Sequence, residues 1–158
     1  MRVLGIDPGL STTGFGIIAK ADHKIRVVCY GTIRPPSKLS LPKRLQYLYN
    51  EVTKLMETYN PHILAIEDSF YSKNVKSAVA LGQARGAILL AGANKNIPCF
   101  QFAPRKIKQS IVGNGAATKE QVQFMVKNIL NLKELPTTLD SSDALAVGLC
   151  YLNQPKWG

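Results

Sequence analysis

Acidic side chains are scarce in this sequence, ten Asp and Glu against twenty Lys and Arg, so their positions carry information. Asp7 ends the apolar run Val3-Leu4-Gly5-Ile6, and Glu67 ends a second run, Ile63-Leu64-Ala65-Ile66. Both stand where the chain leaves a hydrophobic strand, and ligand sites in open α/β sheets form at the carboxyl ends of strands. If the two strands are neighbours, these carboxylates converge. Asp140 and Asp143 are spaced to share one face of a helix that begins around them. Each acid alone has an ordinary explanation. Asp7 suits an Asx-type turn before Pro8-Gly9, Glu67 a loop carboxylate paired to a lysine, and Asp140 and Asp143 the first turn of a helix. Gathered together, the four would repel and raise one another's pKa, a penalty that a divalent cation removes. Hard oxygen ligands with no His/Cys cluster favour Mg²⁺, with Mn²⁺ as a substitute, over zinc. Two such ions about 3.5–4 Å apart can activate a water and stabilise the leaving oxygen in phosphodiester cleavage.

The basic excess gives a formal charge of +10, which points to a polyanionic partner, either nucleic acid or an anionic membrane surface. No run approaches the roughly 20 apolar residues of a spanning helix. Met1-Arg2-Val3-Leu4 leads straight into a strand-like segment, without the longer apolar region of a signal peptide. The expected location is therefore cytoplasmic, with no membrane partner. Cys29, Cys99 and Cys150 are far apart and form no CxxC or Cys/His ligand spacing, so they are expected to be buried free thiols without a chemical role.

The elements that must position the acids follow from periodicity. Residues 3–6, 15–19 and 25–33 read as strands, with turn-forming residues from Pro8 to Gly14 between the first two. Leu45, Leu48, Val52, Leu55, Met56 and Tyr59 recur at helical steps, and Asn60-Pro61 ends that helix. The near-continuous apolar character of residues 63–66 predicts a strand covered on both faces. Residues 75–93 form a second helix, whose Ala78, Gly82 and Gly86 make a nearly flat face for packing against either the sheet or a second subunit. A strand over 98–102, a helix from Pro104 to about Gly113, a helix capped by Thr118 and Gln121, and a last helix from about Asp140 complete the chain. Three adjacent strands followed by strands joined through helices predict a mixed α/β five-stranded sheet flanked by helices, in a single domain over residues 1–158.

Five collinear segments bear a resemblance to the RuvC family of Holliday-junction resolvases. They are Gly5-Ile6-Asp7-Pro8-Gly9 with Thr13-Gly14-Phe15-Gly16; Ala65-Ile66-Glu67-Asp68-Ser69-Phe70 with Lys73-Asn74; Leu81-Gly82-Gln83-Ala84-Arg85-Gly86; Lys106-Ile107-Lys108-Gln109 with Val112-Gly113 and Ala117-Thr118-Lys119; and Asp140-Ser141-Ser142-Asp143-Ala144-Leu145-Ala146. The resemblance implies an RNase H-like fold and a homodimer that nicks two strands of a four-way junction during recombination and repair. It implies Asp7, Glu67, Asp140 and Asp143 as metal-binding catalytic carboxylates, with two ions per site. Lys108 and Lys119 would stand near the scissile phosphate, and Phe70 would stack on opened bases. Lys73, Lys76, Arg105 and Lys106, together with Lys108 and Lys119, would contact the DNA. The RuvA and RuvB branch-migration proteins are implied partners. Asp68, beside Glu67, departs from the pattern, and strand alternation points it away from the site.

Other readings remain open on the residues alone. An RNase H-like nuclease acting on RNA or a hybrid would use the same carboxylates. A non-catalytic junction-binding protein would use the acids as caps and turns. The segment from Asp7 to Gly14 also looks like the phosphate loop of actin-like ATPases, which need two lobes where this chain supplies one.

Overall fold

The apolar run after Arg2 becomes the central strand β1 (Arg2–Asp7), flanked by β2 (Thr13–Ala21) on one side and β4 (Ile63–Glu67) on the other. The computed structural model describes residues 1–69 and 74–155. The remaining strands are β3 (Lys24–Ile33) and β5 (Cys99–Phe102), and the sheet order is β3-β2-β1-β4-β5. β1, β2 and β3 pair antiparallel, while β4 runs parallel to β1 and β5 parallel to β4, giving the mixed sheet that the order of elements predicts. Asp22 and His23 make the β2–β3 turn with φ of 51° and 68°, the left-handed pair that suits the twist of a tight hairpin.

Strand alternation divides the sheet into two faces with separate cores. Leu4, Ile6, Ile17, Leu64 and Ile66 meet Leu48, Val52 and Met56 of helix α1 (Leu41–Tyr59) and Ala84, Ile88 and Ala91 of helix α2 (Val75–Asn94). Val3, Ile18, Ile63, Ala65 and Phe102 meet helices α3 (Pro104–Val112), α4 (Lys119–Ile129) and α5 (Leu139–Leu152) on the other face. The apolar steps read from the sequence in α1 are those that pack, and residues 63–66 are buried throughout. The Thr118–Gln121 capping box is present at the start of α4.

Of the two surfaces open to the small-residue face of α2, the sheet is excluded for its glycines: among the described residues Gly82 and Gly86 face open space, and Ala84, Ile88, Ala91 and Gly92 make the packed side. One expectation needs correction. Of the cysteines only Cys150 is buried; Cys29 and Cys99 are half-buried, because each sits on a strand flanking the core rather than within it. All three thiols are pushed upward in pKa by burial, which suppresses thiolate chemistry. Among the described residues no helix is long and apolar enough to cross a membrane.

Helix α5 lies unusually close to the sheet. A methyl group added at Gly5 would collide with the backbone of Ala144 and Gly148, one at Gly14 with the backbone of Asp140, and one at Gly16 with the Leu145 side chain. Glycines on β1 and β2 thus let a helix backbone rest almost directly on a strand backbone. Gly5→Ala is expected to destabilise the fold by about 3 kcal/mol, the upper end of overpacking effects, because both obstructing groups are backbone. Urea denaturation measures this, and a loss below about 0.5 kcal/mol, the scale of a neutral surface change, would show that α5 can lift freely.

Candidate active site

The register of β1 and β4 places the first two acids. Val3 pairs with Ile63 and Gly5 with Ala65, so continuing the same parallel ladder sets Asp7 beside Glu67 at the carboxyl ends of the strands. Alternation sends both toward the α5 face, since Val3, Ile63 and Ala65 belong to the core on that side. The close approach of α5 over Gly14 then delivers the other two. Thr138 is the N-cap of α5 and accepts a hydrogen bond from the Ser141 amide, so neither acid is the cap, while Asp140 does lie in the first turn. Asp140 and Asp143 are left to project from the first turns.

The four carboxylates feel one another. The Asp7 carboxyl is held far above its ordinary value, first by burial, then by a hydrogen bond and repulsion from Glu67, then by Asp143 and Asp140. Asp143 is pushed up to about 6 by burial and by Glu67 and Asp140, against the opposing pull of Lys119 and Lys108. Among the described residues no lysine or arginine closes an ion pair with any of the four; the pairs present are Lys54–Glu51, Arg85–Asp68 and Lys95–Glu57. Asp7, Glu67 and Asp143 line a cleft of about 280 Å³ together with Pro8, Ser69, Leu81, Lys108, Lys119 and Val122, and Asp140 stands near enough to raise Asp7 and Asp143 electrostatically. A larger groove, about 1040 Å³, opens at the other end of the molecule around Met1, Phe100 and Tyr151. The smaller cleft is the chemical one, because it holds the perturbed carboxylates.

The donor set fits a hard divalent cation: four carboxylates, partly buried, with no histidine or cysteine and no closed ion pair. Among the described residues no three acidic, histidine or cysteine side chains stand at the spacing of a preformed metal cage. Like charges without a counter-ion have no reason to close up, and the raised Asp7 carboxyl relieves the repulsion by holding its proton.

A family model described as crossover junction endodeoxyribonuclease RuvC matches residues 3–151. The chain belongs to the RuvC family. RuvC of Syntrophomonas wolfei is 44% identical over 153 residues, covering 97% of this chain and 89% of that protein. RuvC of Halothermothrix orenii is 44% identical over 162 residues, covering 100% of this chain and 98% of its own length. The solved Thermus thermophilus RuvC in complex with a Holliday junction substrate superposes with a TM-score of 0.90 at 32% identity, covering 96% of this chain and 93% of that one. The yeast mitochondrial Holliday junction resolvase, at 14% identity and a TM-score of 0.68, covering 96% of this chain and 77% of its own, shares the fold. The fold is RNase H-like, and the RuvC family is one of metal-dependent DNA endonucleases.

Against that RuvC frame, Asp7, Glu67, Asp140 and Asp143 come together, and Lys108 and Lys119 reach them from α3 and α4. Arg105 is exposed at the start of α3, packed along Gly115, and Lys76 is exposed in the first turn of α2. Lys106 is exposed on α3 and is felt electrostatically by Cys150, whereas Lys108 and Lys119 are the lysines that act on Asp143. Phe70 and Lys73 lie outside the described residues, as does Trp157. The contributions of Leu81, Val122 and Ala146 to the cleft wall carry no signal in the sequence, since each reads as an ordinary helix residue.

The shifted carboxyls link the site to stability. A carboxyl whose folded pKa lies above its unfolded value of 3.8 binds its proton more tightly when folded, so stability falls as the pH rises from 3.8 toward the folded value. Asp7→Asn removes that loss. Without metal at pH 7.5 the variant is expected to melt higher than the parent by at least roughly 2–4 °C, the equivalent of one kcal/mol in a chain of this size. The gap should close near pH 4, and Mg²⁺ should raise the melting temperature of the parent far more than that of the variant. A variant that melts lower at pH 7.5 without metal would mean that Asp7 is a structural partner and not a strained one.

Proposed function

We propose that this chain is a single-domain, cytoplasmic endonuclease that resolves four-way DNA junctions by paired phosphodiester cleavage during recombination and repair. The observation that carries the proposal is the gathering of Asp7, Glu67 and Asp143 in one cleft, with Asp140 near enough to raise Asp7 and Asp143 and with Lys108 and Lys119 on the cleft wall, in a chain of net charge +10. The junction-bound state of the Thermus thermophilus relative supports the same substrate class.

The four acids would hold two Mg²⁺ ions, with Mn²⁺ as a substitute. When bound, such ions activate a water and stabilise the leaving oxygen. Lys108 and Lys119 flank the carboxylates without neutralising them in ion pairs, so their ammonium groups remain available for a phosphate and for charge developing on it. Lys76, Arg105 and Lys106 add sequence-independent attraction for the backbone, while Phe70 and Lys73 would act at the opened bases. Helix α3 begins beside the cleft at Pro104, and its N-terminal amides favour phosphate there.

The partner subunit would be a second copy, docked on α2. Val75, Val79 and Leu90 are 81%, 55% and 55% exposed, and with Gly82 and Gly86 they form an apolar stripe at helical spacing, with open space over the two glycines among the described residues. A two-fold dimer suits a substrate with approximate two-fold symmetry. RuvA and RuvB are proposed partners on family membership alone.

A labelled four-way junction tests the activity, with linear duplex and RNA–DNA hybrid alongside. Symmetric nicks with Mg²⁺ and none with EDTA are expected. Asp7→Asn and Lys108→Ala should each slow cleavage by roughly 10²-fold or more, the effect of removing one group that stabilises the transition state, while junction binding is retained. Cutting confined to the hybrid would transfer the assignment to an RNA-directed enzyme, and junction binding without cleavage under any metal would make the protein a binder. For the dimer, Val79→Glu should give a folded monomer in sedimentation equilibrium that no longer couples the two nicks. An unchanged dimer would remove α2 from the interface.

A further inference from the structure

Asp68 is the acid that the cleft does not use. It follows Glu67 directly, and alternation turns it to the opposite face of the sheet. There its Oδ1 accepts a hydrogen bond from Nη1 of Arg85 on α2 at 2.6 Å. The two side chains are 20% and 22% exposed, so the pair is largely withdrawn from water. The Asp68 amide donates to the Phe102 carbonyl at 2.8 Å, which extends the β4–β5 pairing one residue past Glu67.

From this geometry we infer that the Asp68–Arg85 pair is a positioning device for Glu67. The peptide that joins the two acids is gripped on β5 by a backbone hydrogen bond and on α2 by a charge-assisted one. Glu67 is thereby fixed at the end of its strand while repelled by Asp7 and Asp143. The guanidinium also takes up the Asp68 charge, so a fifth carboxylate neither adds to the repulsion in the cleft nor swings round as a rival ligand. A pair this far from water is sensitive to loss of either member, because the remaining charge is left without its partner. The inference rests on the metal-binding reading of Glu67. Its ordinary competitor is a tether that merely holds α2 to the sheet.

The two are separated by measurements on the full-length protein. For Asp68→Asn and Arg85→Met, kcat on the junction is expected to fall roughly 10–100-fold, the usual effect of removing a partner that orients a metal ligand. The Mn²⁺ concentration giving half the metal-induced rise in melting temperature should increase by a similar factor, roughly 10-fold or more. Junction affinity measured in EDTA should stay within about threefold, because neither residue contacts phosphate in this arrangement. Arg85→Lys keeps the charge but loses the planar fork, and should fall between parent and Arg85→Met. It also serves where the harsher variants fail to fold. A folded Asp68→Asn or Arg85→Lys with the parent's kcat and Mn²⁺ midpoint would overturn the inference, as would equal losses of stability and junction affinity with the Mn²⁺ midpoint unmoved. Glu67→Gln is the control on the underlying reading. If it retains both cleavage and the Mn²⁺ response, Glu67 is no ligand and the inference falls with that reading, whatever the Asp68 variants do.

Discussion

Helix α5 rests on β1 and β2 with almost no side-chain layer between the backbones. Gly5, Gly14 and Gly16 leave the room, which the backbones of Ala144 and Gly148 fill at Gly5, that of Asp140 at Gly14 and the Leu145 side chain at Gly16. Ordinary helix-on-sheet packing places large apolar residues at such positions, and a methyl group at any of the three strand glycines would force something to shift. The close seat decides where the first turn of α5 can lie. Asp140 stands against Gly14, next to the β1 end that carries Asp7, because the helix cannot be held further away without opening a void. The acidic cleft is therefore a consequence of how the core packs, and its geometry is as stiff as that core.

The cleft sets a local charge against the global one. A protein of net charge +10 collects phosphate backbones over much of its surface, yet the place where a phosphodiester must react is lined with carboxylates. Desolvation and mutual repulsion push Asp7 and Asp143 upward, so the metal-free site relieves itself with protons. A divalent ion does the same while reversing the sign of the site toward an incoming phosphate. Lys108 and Lys119 sit close enough to pull Asp143 downward but form no ion pair with it, an intermediate placement that leaves both the acids and the lysines usable. Asp68, one residue from the ligand set, is kept out of this balance by Arg85.

Where one physical signal dominated, the sequence was readable. Asp7 and Glu67 end apolar strands of matching parity, and parity alone sends them to one face once β1 and β4 pair. Helix α1 shows its buried side in the recurrence of Leu48, Val52 and Met56. Other features depend on approach distances that no residue pattern encodes. Thr13 and Gly14 read as the end of a turn, which starts β2 at residue 15, whereas the strand runs from Thr13, with α5 resting over Gly14 and Gly16. Ala78, Gly82 and Gly86 suited a sheet contact and a subunit contact equally, and only the position of Ala84, Ile88 and Ala91 settles that the glycines face outward. Lys106 and Lys108 share one basic segment, but two helical steps set them about 200° apart around α3, and only Lys108 acts on Asp143.

Helix α2 ties the proposed dimer to the cleft at short range. Leu81 lines the cleft, Gly82 opens to the outside and Arg85 holds Asp68, all within about one turn of helix. In a two-fold dimer built on the apolar stripe, each cleft would lie a helix's width from the partner surface, so a substrate crossing one would be placed relative to the other by a rigid element and not by a loop. In the proposed dimer the glycines at 82 and 86 would have a use: each costs about 1 kcal/mol of helix propensity relative to alanine, and among the described residues nothing lies against them. A second helix brought backbone-close would need that space, as α5 needs Gly5 on the opposite face of the same sheet.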